Sequence, residues 1–236
     1  MKDSIIYIIM IVGIFWWIHW RLNKITYYDY GDKEKATKKI CILTGVHGDE
    51  IAGPRTIRKM IDEGYFHKIE RMRPELFIRV IPCVNRYGYI HHKRYQKNEK
   101  NRDINRNFGE DGPIDEISSE LFELVKEMDL VIDFHEGFDF HKMNPESIGS
   151  TISTSNQTKA IADILLNAVN KSIDEEGKKF TLRIHNCYKY TTLGCYLQRL
   201  NKDYILIETT GKREKQDLQI RMEQIRIIIN TILFNI

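Results

Sequence analysis

The sequence has no internal repeats, no low-complexity tracts and almost no excess charge of either sign. Its 36 Lys and Arg residues nearly balance 33 Asp and Glu residues, giving a net charge of +3. The basic residues are scattered rather than gathered on one face, so nothing indicates a nucleic-acid-binding protein. A chain of 236 residues can bury one sizeable core. We therefore expect one soluble domain with an appendage.

Cysteine is also scarce, and its spacing matches no metal site. Cys41 and Cys83 fall in predicted core strands, where a thiol packs as a small apolar side chain. Cys187 and Cys195 could form a disulfide only in an oxidising compartment, and the sequence leaves the compartment open. The candidate metal ligands are therefore histidines and carboxylates.

Residues 4–20, SIIYIIMIVGIFWWIHW, form the longest apolar run and lie near the short limit for a helix that crosses a bilayer. Tryptophans and then basic residues follow at its distal end, as at a membrane interface. A cleaved signal peptide and a buried helix are the alternatives, but small residues for a cleavage site are lacking. The sequence predicts an anchor at 1–21, a linker at 22–38 and a catalytic domain at 39–236.

This anchor predicts a single-pass membrane protein that contacts the membrane through residues 4–20. Basic residues are more numerous after the apolar run than before it. Because positive residues favour the cytoplasmic side, this distribution favours a cytoplasmic catalytic domain, although the side stays open.

Apolar runs that alternate with helical patterns predict an α/β fold for the rest of the chain. The expected strands are 41–46, 75–85, 130–137, 180–185 and 203–211. The expected helices are 51–65, 114–129, 159–173 and 215–234.

Metal-binding residue types follow three of the expected strands. His47 and Glu50 come after the first strand in GVHGDE, His135 ends the third in DFHEG, and Glu208 lies near the end of the last. The carboxyl ends of parallel strands are where α/β sheets bind ligands, and catalytic zinc takes three protein ligands plus a water. One such residue alone is more often structural, but four together predict a hydrolytic zinc site.

The sequence contains a second His-x-x-Glu, formed by His67 and Glu70. It lies in a basic stretch with no strand before it, so we predict that this copy is surface. A long polar loop at 85–113 is more informative, because loops of this length are usually functional or disordered. Its candidate residues are Arg94, Asp103, Asn105 and Arg106.

The motifs GVHGDE, DINRNF, DFHEG and ILIETT, in that order, resemble the zinc carboxypeptidase superfamily, and most of all its succinylglutamate desuccinylase/aspartoacylase branch. The resemblance covers about residues 40–211. It implies a single domain with a mixed sheet of roughly eight strands flanked by helices, and a metal at the carboxyl edge of the sheet.

The resemblance also implies roles for individual residues. One Zn²⁺ per chain would be bound by His47, Glu50 and His135, and Asp103 would orient the first histidine. Glu208 would be the general base. The substrate's carboxylate would be bound by Asn105 and Arg106. Arg94 would polarise the scissile carbonyl, with Lys93 and Arg102 as alternatives, and a mobile tyrosine has only the candidates Tyr188 and Tyr190.

The expected function is a membrane-anchored, zinc-dependent hydrolase of an amide bond next to a carboxylate, using a zinc-bound water and Glu208 as base. The residues leave open whether it is an N-acyl amino acid deacylase or a carboxypeptidase. The alternative is a pseudoenzyme that keeps the fold to bind a peptide or another partner. We expect a small carboxylate-bearing substrate and no nucleic acid, and the oligomeric state stays open.

Overall fold

A mixed seven-stranded sheet crosses the computed structural model, which describes residues 24–96, 103–184, 191–212 and 215–235. Its spatial order is β1-β3-β2-β4-β7-β5-β6. The strands are β1 (Thr26–Tyr30), β2 (Lys38–Thr44), β3 (Leu76–Cys83), β4 (Leu130–Gly137), β5 (Thr151–Thr154), β6 (Thr181–Ile184) and β7 (Asp203–Thr210).

The four central strands β3, β2, β4 and β7 are parallel. Strand β1 runs antiparallel to β3, and β5 runs antiparallel to β7 but parallel to β6. Parallel strands are covered on both faces, which explains why their sequences are nearly continuous apolar runs. The carboxyl ends of all four central strands therefore meet at one edge of the sheet.

Helices pack on both faces of this sheet. They are α1 (Ala52–Asp62), α2 (Tyr65–Met72), α3 (Arg86–Ile90), α4 (Glu116–Val125), α5 (Lys159–Asn170), α6 (Leu193–Arg199) and α7 (Leu218–Asn235). One core contains Ile40 and Ile42 of β2 together with α1, α2, α5 and α7, and we call this side the α7 face. The other core contains Cys41 and Leu43 with α4 and α6, and we call it the α4 face.

Local sequence sets where several helices begin. The carboxylate of Asp115 accepts a hydrogen bond from the amide of Ser118, and the Ser118 hydroxyl accepts one from the amide of Asp115, so α4 starts with a capping box. Asn85 caps α3 and Thr192 caps α6 with a single hydrogen bond each. The side-chain oxygen of Asn85 accepts from the amide of Gly88, and that of Thr192 accepts from the amide of Cys195. These caps fix the helices that adjoin the carboxyl edge.

The α/β prediction is confirmed, but the strand count and one boundary change. The described residues hold seven strands rather than about eight. Residues 22–38, which the sequence predicts to be a linker, include β1 at the edge of the sheet, so this part of the linker prediction is wrong. Strand β1 is half exposed and ends on buried Tyr30. It was not predicted because it lacks the long apolar run by which central strands are recognised.

The prediction of a single-pass anchor, and with it the membrane localisation, is also wrong. Within the described ranges, none of the helices is long and apolar enough to cross a membrane. The longest of them, α7, is interrupted by Arg221, Glu223 and Arg226. Residues 4–20, on which the prediction was based, lie outside the described residues.

Candidate metal centre

The turn between β2 and α1 brings His47 and Glu50 into the interior. Gly45 begins this turn with φ +67, a left-handed conformation that glycine adopts at little cost. A Cβ at Gly45 would also approach the Cys83 sulfur to 2.9 Å, so the turn needs glycine for space as well. His47 and Glu50 are both almost fully buried at the carboxyl edge of the sheet.

Strands β4 and β7 supply the other side of the site. His135 of β4 and Glu208 of β7 are register partners, so their side chains lie on the same face. Asp133 and Tyr204 lie on that face too, two and four residues earlier on their strands, and the Tyr204 hydroxyl donates to Asp133 Oδ2 over 2.8 Å. This is the α4 face, so His135 approaches the β2–α1 turn from that side of the sheet.

Three of these side chains converge on one point. His47 Nδ1 lies 2.8 Å from Glu50 Oε1 and 3.0 Å from His135 Nδ1. His135 Nδ1 lies 2.9 Å from Glu50 Oε2. One possible ligand atom from each residue therefore lies within 4.8 Å of the other two, which makes the group able to hold a metal ion.

The charges of the cluster favour a cation. Burial opposes ionisation of Glu50, yet His47 and His135 hold the pKa of Glu50 well below its ordinary value. Burial likewise opposes charge on His135, but Asp133 and Glu50 raise the pKa of His135 well above its ordinary value. The carboxylates that favour a proton on the imidazole would also favour a divalent cation.

The donor set fits zinc or a similar ion. Two ring nitrogens 3.0 Å apart attract each other only through a shared proton or cation. Nitrogens that each lie 2.0–2.1 Å from zinc are about 3.3 Å apart at a tetrahedral angle, close to the spacing found here. Two imidazoles and a carboxylate also match the ligand types of catalytic zinc.

The outward-facing nitrogens of both histidines meet carboxylates. His47 Nε2 lies 2.8 Å from Asp103 Oδ1, an arrangement that orients the ring and leaves Nδ1 for a metal. His135 Nε2 lies 3.1 Å from Asp133 Oδ2, close enough for electrostatic attraction but outside hydrogen-bond geometry. The role predicted for Asp103 thus has a counterpart in Asp133, which the sequence analysis missed although it stands two residues before His135, on the same face.

Arg94 reaches the same cluster from the long loop. Its Nη2 donates to Asp103 Oδ2 over 2.8 Å, and its Nη1 donates to Glu50 Oε1 over 3.3 Å. Of the two alternatives, Lys93 is exposed and Arg102 lies outside the described residues, as do Tyr188 and Tyr190. Arg94 is therefore the arginine that the described structure brings to the centre.

Glu208 stands beside the cluster without joining it. Its side chain is buried, and Oε2 has no hydrogen-bond partner among the residues described. Burial disfavours the charged form and raises the pKa of Glu208 to about 8, although His135 opposes the shift. A buried carboxyl with a partnerless oxygen next to a metal-capable cluster is typical of an acid/base group.

Asn105 and Arg106 lie on the turn that follows Asp103. The side chain of Asn105 accepts from the amide of Leu193, which ties this turn to α6 on the α4 face. Arg106 is exposed, and its Nη1 donates to the neighbouring carbonyl of Asn105 over 2.7 Å. The turn therefore places Arg106 next to Asn105, whose contact with Leu193 lies on the α4 face.

Sequence comparison decides the family. Residues 36–221 match the profile of the succinylglutamate desuccinylase/aspartoacylase catalytic domain, which is well over half of the chain. The chain belongs to this family. No curated protein shows significant sequence similarity to it.

Solved structures share the fold of this family member at low identity. Tripeptide-bound Csd4 from Helicobacter pylori, a cell shape determinant, gives a TM-score of 0.70 at 16% identity, over 89% of this chain and 55% of Csd4. A form of Csd4 bound to mDAP and described as a D,L-carboxypeptidase gives 0.69 at 15% identity, over 87% and 53%. Murein-tripeptide amidase MpaA from Escherichia coli O157 gives 0.57 at 16% identity, over 88% and 85%. The chain thus spans about half the length of Csd4.

The resemblance stated from the four motifs is confirmed by the family match. The family match spans His47, Glu50 and His135, and these three residues form the metal-capable cluster that the resemblance implies. The described structure brings six of the predicted site residues to one edge of the sheet, and the other two, Asn105 and Arg106, lie on the turn after Asp103. The six are His47, Glu50, Arg94, Asp103, His135 and Glu208.

Two further residues of this desuccinylase/aspartoacylase family member were not predicted to have a role. Glu136 lies on the α7 face, where it accepts from the amide of Ala52 over 2.6 Å and from Arg221, while its own amide donates to Glu50 Oε2 over 3.2 Å. Lys212 follows β7, and its Nζ lies 2.9 Å from Glu50 Oε1. Glu136 directly follows the predicted ligand His135, which is a weak signal, whereas no sequence pattern indicates Lys212.

Proposed function

We propose that this family member is a zinc-dependent hydrolase that cleaves an amide bond next to a carboxylate. The observation that carries this proposal is the convergence of His47 Nδ1, His135 Nδ1 and the Glu50 carboxylate beside buried Glu208. Three ligands with a separate carboxyl are the composition of a catalytic rather than a structural zinc site, because catalytic zinc keeps one position open.

His47, Glu50 and His135 would hold the metal, each histidine through Nδ1. Bound there, zinc would act as a Lewis acid towards the substrate carbonyl and lower the pKa of a water. The contacts of Asp103 and Asp133 with the opposite ring nitrogens would keep both imidazoles in the binding orientation.

Glu208 would take a proton from the attacking water and return it to the departing amine. Its raised pKa suits this exchange, because a carboxyl that titrates near neutrality can both accept and release a proton. Arg94, positioned by Asp103, would stabilise the negative charge that develops on the carbonyl oxygen.

Arg106 and Asn105 would bind the carboxylate on the amine side of the scissile bond. A planar guanidinium suits a carboxylate because it can donate two parallel hydrogen bonds. Among the structurally similar proteins, Csd4 is bound to a tripeptide in one structure and to mDAP in another, and MpaA is a murein-tripeptide amidase. They support a short peptide as substrate, while the family name supports an N-acyl amino acid.

The full chain should bind close to one zinc and hydrolyse members of a panel that combines short peptides with free C-termini and N-acyl amino acids. Elemental analysis and release of free amine would measure the two properties. Zinc binding with no hydrolysis on the whole panel would favour a pseudoenzyme that binds peptides.

Glu208→Gln tests the base directly. The amide keeps the shape of the side chain but cannot take a proton, so kcat should fall about 10²–10⁴-fold while zinc content is retained. Glu146→Gln, which alters an exposed carboxylate, is the matched control. Wild-type turnover by Glu208→Gln would remove Glu208 from the chemistry.

Arg106→Ala tests the substrate carboxylate. Loss of uniform binding should raise KM with little change in kcat. Arg58→Ala, which removes an exposed arginine of α1, should leave both constants near their wild-type values. An unchanged KM in Arg106→Ala would place the carboxylate elsewhere.

A further inference from the structure

A cavity of about 760 Å³ opens beside the β2–α1 turn, and none of the predicted site residues lines it. Its walls come from α1, α3, β1 and the carboxyl end of β3. Pro54 and Cys83, which line the cavity, are also the side chains that a Cβ at Gly45 would meet, at 3.0 and 2.9 Å. The cavity therefore adjoins the turn that carries His47 and Glu50 without containing either residue.

Basic side chains line one wall of this cavity. Arg55, Arg58 and Lys59 follow one another on α1 at spacings of three and four residues from Arg55, so they share one face of the helix. All three are exposed, and none forms an ion pair with an acid within the part of the chain that the structure describes. Like charges so close together repel one another, and a bound anion would relieve this repulsion.

A further arginine, Arg86 of α3, lines the cavity from another side, where its Nη1 donates to the Thr26 hydroxyl over 3.1 Å. Burial raises the pKa of Cys83 to about 12, while Arg86 and Arg58 oppose the shift. Both guanidinium charges are therefore near the same thiol, although they belong to different helices. An anion between α1 and α3 would be attracted by both of them.

The acidic side chains of the cavity do not balance this charge. Glu63 is already paired with Arg226, whose Nη2 lies 2.5 Å from Glu63 Oε2. That leaves Asp62 as the other carboxylate among the lining residues, against four basic side chains. The excess suits phosphate better than a single carboxylate, because a phosphate monoester carries close to two negative charges at neutral pH. Guanidinium groups also bind phosphate through two parallel hydrogen bonds.

The rest of the lining is aromatic and apolar. Tyr28 of β1 and Tyr89 of α3 are both half-buried, and Ile90 lies beside Tyr89. Tyrosine rings stack on planar rings of a ligand. The volume also lies within the range of about 300–1,000 Å³ that small-molecule sites occupy. The fitting ligand is therefore an organic molecule that carries both phosphate and a planar ring.

We propose that this cavity binds an organic diphosphate of the nucleoside diphosphate class, with its phosphates against Arg55, Lys59 and Arg86 and its ring against Tyr89. This is a second ligand site, separate from the metal centre. It does not depend on the proposed hydrolase activity.

Calorimetry of the full chain, in a buffer free of phosphate and sulfate, tests the charged wall with adenosine diphosphate (ADP) as the probe. Replacing both Arg55 and Lys59 by glutamine should weaken ADP binding about 10- to 100-fold, because hydrogen bonds between charged groups are lost. Replacing both Lys68 and Arg71 by glutamine is the matched control, which removes the same charge from exposed positions of α2 and should leave ADP binding unchanged. Equal weakening by both pairs would overturn the site, since only net charge would then matter.

Comparison of probes tests the ring. ADP should bind more tightly than pyrophosphate, which lacks the ring, and than adenosine, which lacks the phosphates. Tyr89→Leu should weaken ADP binding about 10-fold, as loss of a stacking side chain does, and leave pyrophosphate binding unchanged. An equal loss for both probes, or equal affinities of the wild type for ADP and pyrophosphate, would overturn the assignment of a ring-bearing ligand.

His47→Ala separates the cavity from the metal centre, because diphosphates also bind metal ions. ADP affinity should stay at the wild-type value in this variant. If ADP binding disappeared with His47→Ala, the ligand would lie at the metal centre and the proposal would be overturned. A wild type that binds ADP as expected but hydrolyses no amide would support the cavity while removing the proposed function.

Discussion

The two His-x-x-Glu copies of this chain have the same spacing and opposite surroundings. His47 and Glu50 have 5% and 3% of their side-chain surface exposed, and their ring and carboxylate meet at 2.8 Å. His67 and Glu70 lie on α2 with 68% and 39% exposed, and they meet at 3.3 Å. Both pairs make the contact expected of residues three apart, so spacing alone does not distinguish them.

The difference lies in what else reaches each pair. The first copy follows a central strand, so the neighbouring strand β4 brings His135 to it and the long loop brings Asp103 and Arg94. In the second copy, Glu70 accepts from the amide of Gly31 and His67 packs edge-on against Tyr30. The sheet brings a third metal-capable residue, His135, only to the first copy, and the second copy was correctly predicted as surface.

The largest expected contrast is in metal binding. His47→Ala should abolish stoichiometric zinc binding because a catalytic zinc site needs three protein ligands, whereas His67→Ala should bind zinc as wild type does. Elemental analysis of the two dialysed proteins makes the comparison. If His67→Ala lost zinc while His47→Ala retained it, the assignment of the two copies would be reversed.

The next largest expected effect is on stability, at the buried Glu136–Arg221 pair that adjoins the first copy. Glu136→Ala would leave the buried guanidinium of Arg221 without its carboxylate partner, and breaking such a pair costs about 3–5 kcal/mol of unfolding free energy. Urea unfolding of the metal-free chain measures this cost. Adding Arg221→Met should restore part of the stability because it removes the buried positive charge that has lost its carboxylate. A small effect of Glu136→Ala would mean that solvent reaches the pair.

A smaller effect, on zinc affinity, is expected from the carboxylates that contact the outer ring nitrogens of the two histidines. Asp133→Asn removes the negative charge beside His135, and zinc affinity should fall about 10- to 100-fold, as for other partners of ligand histidines. Competition with a chromophoric chelator reports the affinity. Asp163→Asn, in an exposed pair with Lys159, should leave the affinity unchanged. Equal affinities for both variants would show that Asp133 does not orient His135.

The smallest effect belongs to the second copy. Replacing both His67 and Glu70 by alanine should change the unfolding free energy by less than about 1 kcal/mol, because exposed ion pairs contribute little. Activity and metal content should stay at the wild-type level. A loss of several kcal/mol would show that the Gly31 and Tyr30 contacts anchor β1 through α2.

The central strands could be predicted because burial on both faces of the sheet gives them nearly continuous apolar runs in the sequence. The expected strands at 130–137 and 203–211 nearly coincide with β4 and β7. Strands β1 and β5 and helices α2, α3 and α6 were not predicted, because they are short and partly polar and their stability depends on the sheet and helices they pack against. The anchor was predicted from an apolar run and its flanking tryptophans and basic residues, which are local patterns.

Local patterns were enough to predict which residues end the central strands, and therefore which side chains could reach the carboxyl edge. His47, Glu50, His135 and Glu208 follow from apolar runs that stop at polar residues. The partners of these side chains could be found only from the fold. Asp133 faces His135, Glu136 faces Arg221, and Lys212 faces Glu50. The physical reason is that strand register and helix packing set contacts between residues far apart in the chain, whereas local patterns report only which residues are buried.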